Sequence, residues 1–494
     1  MGFYEKIQSI VGPEYVSNSP EVCRAYAYNC FMTYKYSVPP EYIIQPQTTQ
    51  QVSEVVKACN EYKVPLTPKG PAGGTGSGGF HHGGVCLDLM YMDKITHIDP
   101  ISMKAVTEAG ASYFKLSQEV FKAGMMLPTT EYSCGPTVAG SIVAPVVAFG
   151  KTRYGRCCDT VDGLEVVLPD GKIVTLGSLA YENSNFGPFY RYINGPDLVN
   201  MFVGSNGAYG IITRVAFGCQ KRPPFWGNSF YYWTEEQTAE MEEFMLEATG
   251  MEVFDIHLND RWKFDALFTT PDGVTHHELN FLLNQYPRDA YFFMQNTFCA
   301  FSQEELDEKK KQLDELCVKC KGGIMGPELA DTLIGSFPTM HAPVCISNQV
   351  MKPLFDMNKA NYHIIPDSYI YPTVKFGEVF RKIKEVYVKH NYWGFPTPAI
   401  LDGFPMKGQA ICTQTWSYIN TRDQDQMDRI FAARTELREW FGAQGGVHEE
   451  HQPPNVPAYA WENQKSDYQL GQLIKKALDP NDILSPCTFE MEVK

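Results

Sequence analysis

Apolar positions recur along this chain with two periods. Val52, Val55, Val56 and Cys59 fall on one face of a helix. Val64-Pro65-Leu66-Thr67-Pro68 reads as a buried strand entering a glycine cluster, and Val85-Cys86-Leu87-Asp88-Leu89 reads as a second short strand. Leu164 to Leu168 and Lys172 to Leu176 flank Pro169-Asp170-Gly171, and this predicts a hairpin because Asp-Gly is a strong turn signal. Helical and strand-like patterns alternate in this way over the first 220 residues. Near Pro223-Pro224 the character changes, and longer charged helices run to about Gly445. Thr234 with Gln237, and Ser302 with Glu305, have the spacing of capping boxes that open two of these helices. A further helix is expected from about Gln424 to Phe441, stopped by Gly445-Gly446. A last one, Asp467 to Leu478, sets Leu470, Leu473, Ile474, Ala477 and Leu478 on one face and ends at Asp479-Pro480-Asn481.

The chain has 494 residues, 44% hydrophobic and 20% charged, enough for two or three packed domains. With 13% aromatic residues it can bury ample apolar area and is not a disordered composition. Lys and Arg total 42 against 57 Asp and Glu, a net charge of −15, which disfavours nucleic acid and anionic membrane surfaces as partners. The amino terminus, MGFYEKIQSIVG, lacks a secretory pattern, and Lys6 breaks the myristoylation pattern. The longest nearly apolar run, Ala139 to Gly150, is interrupted by Pro145 and too short to span a bilayer. The 14 cysteines are scattered, as expected of mostly free thiols in a reducing compartment. A soluble, cytoplasmic protein is the expectation.

Three glycine-interrupted segments carry the candidate chemistry. The first, Lys69-Gly-Pro-Ala-Gly-Gly-Thr-Gly-Ser-Gly-Gly79, directly follows a strand. Small residues there let backbone N–H groups approach an anion closely. It is not a Walker loop, because no Gly-Lys-Ser/Thr follows, and not the usual dinucleotide fingerprint, because a strand follows rather than a long helix. A flexible linker is the alternative, disfavoured because linkers are rarely squeezed between two buried strands. The second segment is Cys134-Gly-Pro-Thr-Val-Ala-Gly-Ser-Ile142, followed by Lys151-Thr-Arg-Tyr-Gly-Arg156. The third runs from Met201 to Thr213.

In this order and spacing the segments resemble FAD-binding flavoproteins of the vanillyl-alcohol oxidase and p-cresol methylhydroxylase (PCMH) type. The likeness also takes in the stretch IKKALDPNDILSP near the carboxyl end, and covers the first 220 and last 50 residues well and the middle loosely. It implies an α+β fold: a PCMH-type FAD-binding domain of two α/β subdomains plus an α+β cap with an antiparallel sheet. The implied boundaries are 1–224 and 446–494 for the FAD-binding part and 225–445 for the cap. By position the resemblance sets Gly70, Gly73, Gly74, Thr75, Gly76 and Ser77 on the FAD phosphates. Thr137, Gly140, Ser141, Arg153, Tyr154 and Gly155 would line the rest of the flavin, and Gly210-Ile211 the adenine end. For Arg153 an exposed salt bridge is an equal reading.

Within the family the phenol oxidisers look closer than the 2-hydroxy-acid dehydrogenases. The latter carry a histidine-rich metal stretch in the cap, where this chain reads Asp402-Gly-Phe-Pro-Met-Lys-Gly408. The chain also departs from the phenol oxidisers. His448 and Glu449 stand where their Tyr-Arg phenolate pair stands, Gly74 replaces a third phenolate tyrosine, and the flavin-tethering histidine falls near Lys407-Gly408. FAD is therefore expected to be noncovalent. His448-Glu449-Glu450-His451 is the densest titratable cluster, and the resemblance sets it beside the flavin's reacting face. A histidine near neutral pKa suits a general base there, oriented by the two carboxylates. A metal site and a solvated polar loop are the alternatives for this cluster; no metal is assigned.

Cys317 and Cys320 have thioredoxin-like spacing but sit in a charged helix pattern, which favours two helix thiols over a redox pair. Cys134 and the His81-His82 pair read as a buried thiol and a loop-surface pair. The expected activity is that of an FAD-dependent oxidoreductase, a dehydrogenase or oxidase acting on a small aromatic alcohol or alkylphenol-like donor. A 2-hydroxy-acid dehydrogenase and a non-catalytic flavin-binding protein are the alternatives. The electron acceptor, oxygen or a carrier protein, is open, and a homo-oligomer is expected.

Overall fold

The computed structural model describes residues 2–27, 38–70, 83–131, 136–181, 187–261, 287–326, 362–393, 399–420, 422–448 and 463–486. The chain divides into two compact units. Unit 1 comprises Met1–Val146, Arg156–Arg222 and Glu450–Lys494, and unit 2 comprises Val147–Gly155 and Pro223–Glu449.

Unit 1 holds two sheets. In the first, β1 (Val16–Ser17), β2 (Tyr42–Ile44), β3 (Leu66–Lys69) and β4 (Val85–Asp88) run in the order β1-β2-β4-β3. β2, β4 and β3 are parallel, and β1 pairs antiparallel with β2. Every residue of β4 is buried, as expected of a central parallel strand with both faces covered. Helices α1 (Phe3–Val11), α2 (Pro20–Tyr26) and α3 (Thr49–Tyr62) belong to this part. The Thr48 hydroxyl caps α3 by accepting from the Gln51 amide at 3.2 Å. Its inner face buries Val52, Val55, Val56 and Cys59 completely, each valine worth on the order of 1.5–3 kcal/mol.

The second sheet is antiparallel. It contains β5 (Ile95–Asp99), β6 (Lys104–Glu108), β8 (Val161–Val167), β9 (Ile173–Gly177) and β10 (Ile211–Gly218), in the order β5-β6-β10-β8-β9. The expected hairpin is β8–β9. Gly171 holds φ +83° in its turn, a conformation that L side chains resist, and the Leu168 amide closes the turn on the Lys172 carbonyl at 2.8 Å. β7 (Met125–Met126) pairs with β11 (Gln220–Lys221). Unit 1 also contains α4 (Tyr113–Lys122), the single turn α5 (Gly140–Val143) and, near the carboxyl end, α11 (Lys465–Leu478).

Unit 2 is built on one antiparallel sheet in the order β15-β12-β14-β13-β17-β18-β16-β19. The strands are β12 (Phe225–Thr234), β13 (Asp255–Asp260), β14 (Ala290–Ala300), β15 (Gly323–Ile324), β16 (Tyr362–Pro372), β17 (Ala399–Met406), β18 (Ala410–Asn420) and β19 (Val447–His448). Helices α7 (Thr238–Gly250), α8 (Gln303–Lys319), α9 (Phe376–Lys389) and α10 (Gln424–Gln444) complete the unit, with the turn α6 (Lys151–Tyr154) contributed by the inserted segment. Aromatic rings join one sheet face to these helices. Trp233 meets Phe244 of α7, Phe292 meets Phe380 of α9, and Tyr369 stacks on Phe441 of α10. Mixed helices and sheets in both units match the α+β class read from sequence.

Three local expectations are modified. Thr234 does not cap α7, which starts at Thr238; the Gln237 side chain instead accepts from the Thr234 amide at 2.9 Å. Ser302 does cap α8, accepting from the Glu305 amide, but the Glu305 carboxylate reaches back to the Phe301 amide rather than to that of Ser302. The apolar stripe of α11 is not its packing face. Leu470 and Leu473 are 57% and 66% exposed, and the helix packs through Tyr468 and Gly471. The Gly471 carbonyl accepts from the Tyr209 hydroxyl at 3.0 Å.

Candidate active site

Two strands of unit 1 bracket the first glycine segment. β3 ends at Lys69, and Gly83 and Gly84, with φ +65° and +69°, lead into β4. A Cβ on Gly70 would meet Thr137 Oγ1 at 2.8 Å, so the backbone beyond β3 and the second glycine segment approach within a distance only glycine allows. The Thr137 hydroxyl accepts from the Gly140 amide at 3.2 Å, and Ser141 donates to the buried Glu131 carboxylate. Gly210 is pressed against Val166, where a Cβ would come within 2.6 Å, and Ile211 opens β10 opposite Val167. Gly73, Gly74, Thr75, Gly76 and Ser77 lie outside the described residues, as do His81, His82 and Cys134.

Lys151 to Gly155 pack within unit 2. The Lys151 ammonium, with no exposed surface, lies 2.8 Å from both oxygens of Asp255 and 2.7 Å from the Ile256 carbonyl. All three of its donors are thereby used. Burial pushes the lysine pKa down, and Asp255 offsets this only in part. The Thr152 hydroxyl donates to the Pro405 carbonyl and accepts from the Ile256 amide. Arg153 pairs with Glu252 at 3.2 Å, the salt-bridge reading, and the Tyr154 ring meets Phe254. Beside Lys151, His257 Nε2 stands 3.8 Å from Asp402, whose side chain is 3% exposed, and the imidazole packs on Phe404 at 4.8 Å.

His448 is enclosed on the helix-covered face of the sheet. β19 sets it opposite Tyr369 of β16, and its Nε2 lies 2.8 Å from Asp367 Oδ1, each side chain 1% exposed. Arg438 donates to the same oxygen at 3.0 Å, Arg434 lies at 3.5 Å, and the Tyr369 hydroxyl donates to the other. Burial alone would raise the Asp367 pKa; Arg438, Arg434 and His448 outweigh it and hold the carboxyl well below its usual range. His448 is therefore held in a buried cluster with Asp367, Arg434 and Arg438, and does not stand on a solvated polar loop, the alternative reading of this segment. The sequence cluster gave no sign of this, because its anchor lies 81 residues upstream. Glu449, Glu450 and His451 lie outside the described residues.

The FAD binding domain family matches residues 40–177, the stretch that contains both glycine segments described above. This stretch is similar to FAD-binding domains of that family. Along 99% of its length the chain shares its fold with 4-ethylphenol oxidase from Gulosibacter chungangensis, with a TM-score of 0.83 at 17% identity over 96% of that protein. p-Cresol methylhydroxylase gives 0.83 at 19% identity over the same shares. In sequence the chain is 30% identical over 187 residues to the mitochondrial D-lactate dehydrogenase (cytochrome) of Arabidopsis thaliana, 37% of this chain and 31% of that one. The glycolate oxidase subunit GlcD of Bacillus subtilis is 29% identical over 224 residues, 44% and 45% of the two chains. The 4-cresol dehydrogenase (hydroxylating) flavoprotein subunit of Pseudomonas putida is 31% identical over 189 residues, 37% and 36%. The matches thus span less than half the length of these curated relatives.

The described residues of the FAD-binding domain fit the cofactor. The close packing of Gly70 on the Thr137 side chain lies at the carboxyl end of the parallel strand β3, the end at which open α/β sheets bind nucleotides. Among the described residues no group of three His, Cys, Asp or Glu is placed to hold a metal, and no helix is long and apolar enough to cross a membrane. Cys317 and Cys320 are both buried, and burial raises both thiol pKa values, the opposite of an activated thiolate. The Lys151–Asp255 pair and the His257–Asp402 neighbours were missed in the sequence. Polar residues alternate along DIHLND of β13, and that period-2 pattern was the available signal.

Proposed function

We propose that the chain is an FAD-dependent oxidoreductase that oxidises a small alcohol-type donor, with unit 2 supplying donor-binding groups. The observation that carries this reading is the match to the FAD binding domain family, in a chain that follows the PCMH-type fold over nearly its whole length. FAD, when bound, supplies the hydride acceptor. The chain's own task is to hold the donor and take its hydroxyl proton as the hydride leaves. His448 is enclosed against Asp367, which supports a structural role for it. Within the titratable cluster the base role then rests on His451, with His257 as the described competitor. FAD is held noncovalently, since Lys407-Gly408 forms the tight β17–β18 turn at the position of the tethering histidine. A cytoplasmic homo-oligomer passing electrons to oxygen or to a carrier protein completes the reading.

Anaerobic reduction of the yellow protein by 4-hydroxybenzyl alcohol, by D-lactate and by the neutral polyol D-sorbitol tests it, followed by reoxidation with oxygen. Loss of the base costs about 10²–10⁴-fold in the reductive rate, so His451→Ala should fall in that range and His257→Ala should not. The reverse outcome moves the base to His257. A wild-type flavin that no donor bleaches makes the chain a flavin-binding protein without catalysis.

A further inference from the structure

The sheet of unit 2 has a second face, turned away from its helices. Cross-strand register aligns Asn259 of β13 with Asp402 of β17, Asp402 with Gln414 of β18, and Gln414 with Ser368 of β16. Four polar side chains therefore form one row across four adjacent strands. They alternate with Leu258, Leu401 and Thr413, which point to the helix side. Two residues along from Asn259 stands His257, with Phe404 against it; two residues along from Gln414 stands Trp416. The Trp416 Nε1–H is buried and has no hydrogen-bond partner. Asp402 and Ser368 are buried, while Asn259, Gln414 and Trp416 are half-buried, so the row is both desolvated and reachable.

The hydrogen-bonding chemistry of this row is specific. Asp402 only accepts, Trp416 only donates, and Asn259, Gln414 and Ser368 do both. A hydroxyl group also does both. A carboxylate or phenolate only accepts, and would need a cation. Lys151 is committed to Asp255 and the Ile256 carbonyl through all three donors. An anion entering here would meet the Asp402 charge with no free positive charge from the lysine. Aromatic faces at Phe404 and Trp416 add flat apolar surface of the kind that packs against the C–H groups of a carbon chain.

We propose that the row Asn259–Asp402–Gln414–Ser368, with Trp416, is the donor subsite, and that it takes a neutral donor bearing several hydroxyl groups in preference to a hydroxy acid or phenolate. This rests on the oxidoreductase reading and names its substrate class.

Quenching of tryptophan fluorescence in the protein as purified, with its flavin held reduced by dithionite, reads binding without turnover, with D-sorbitol, D-lactate and 4-hydroxybenzoate as probes. D-Sorbitol should quench, the two anions should bind at least tenfold more weakly, and Trp416→Phe should remove the signal. Asp402→Asn and Gln414→Leu should each weaken D-sorbitol at least tenfold, with folding checked by circular dichroism. Should Asp402→Asn unfold the chain, Gln414→Leu decides alone. Anion binding as tight as that of D-sorbitol, no binding of any probe, or D-sorbitol binding within twofold of wild type in the folded variants would overturn the proposal. FAD content is measured separately on the same preparations. Failure there refutes the oxidoreductase reading and leaves the subsite result standing on its own.

Discussion

Lys151→Met replaces the fully buried ammonium with an apolar group of similar length and leaves Asp255, itself 2% exposed, without its counter-charge. Removing one partner of a buried pair costs about 3–5 kcal/mol, because the remaining charge stays desolvated. The Gly150 amide still donates to Asp255 at 2.8 Å, which places the loss toward the lower end of that range. At about 2–4 °C per kcal/mol for a unit of this size, the melting temperature of the affected transition should fall by roughly 6–15 °C. The double variant Lys151→Met/Asp255→Leu removes both charges and should recover most of the loss. A deficit of about 1–3 kcal/mol should persist, because the Gly150 amide then has no acceptor. Differential scanning calorimetry of the two variants and of Asp255→Leu alone, which strands the lysine, completes a double-mutant cycle. Strictly additive losses, or a single-variant shift below about 2 °C, would show that the buried pair is not coupled as the 2.8 Å contacts require.

Asp367→Asn should lose the acid dependence of stability. The carboxyl is held below its unfolded value, so its contribution is complete above that value and disappears as pH falls through the lower folded one. Urea titrations from neutral pH down to strong acid should show wild-type stability declining toward the variant's. Gly70→Ala should cut FAD content several-fold with little loss of solubility, since the new Cβ meets Thr137 at 2.8 Å and must displace the start of the glycine loop; the ratio of flavin to protein absorbance checks it. Acid precipitation should release the flavin into the supernatant, and yellow colour kept in the pellet would point to a covalent link through Cys134, His81 or His82.

Local chemistry was legible wherever one short segment determined the outcome. Helix α3 has its Thr48 cap and valine stripe within fifteen residues, and the β8–β9 hairpin has its turn in Asp170-Gly171. The glycine loop's place between two parallel strands was equally readable, because β3 and β4 are apolar runs on either side of it. The candidate site was less so. Lys151 and Asp255 are 104 residues apart, and no window of sequence contains both. His448 was read as a candidate base from the position the resemblance gives its segment, and its surroundings, Asp367 and the two arginines of α10, lie far from it in sequence. Helix α11 failed for a different reason. Hydrophobic periodicity weighs large side chains, whereas the residues this helix buries are Tyr468 and Gly471, and the Gly471 carbonyl takes a hydrogen bond from Tyr209.

The carboxyl-terminal segment closes the edge of the first sheet. Leu66 of edge strand β3 donates its amide to the Ile483 carbonyl and accepts from the Ser485 amide, both at 2.8 Å. During synthesis the ribosome delivers β3 early and its partner only after some four hundred further residues, about 20–80 s at ordinary elongation rates. For that interval β3 is an open strand edge, a template for pairing with other nascent chains. A chaperone that shields apolar strands should therefore be a stronger determinant of yield for this protein than its final stability. A chain truncated before Ile483 should accumulate in the chaperone-bound or aggregated fraction even where every other element has formed.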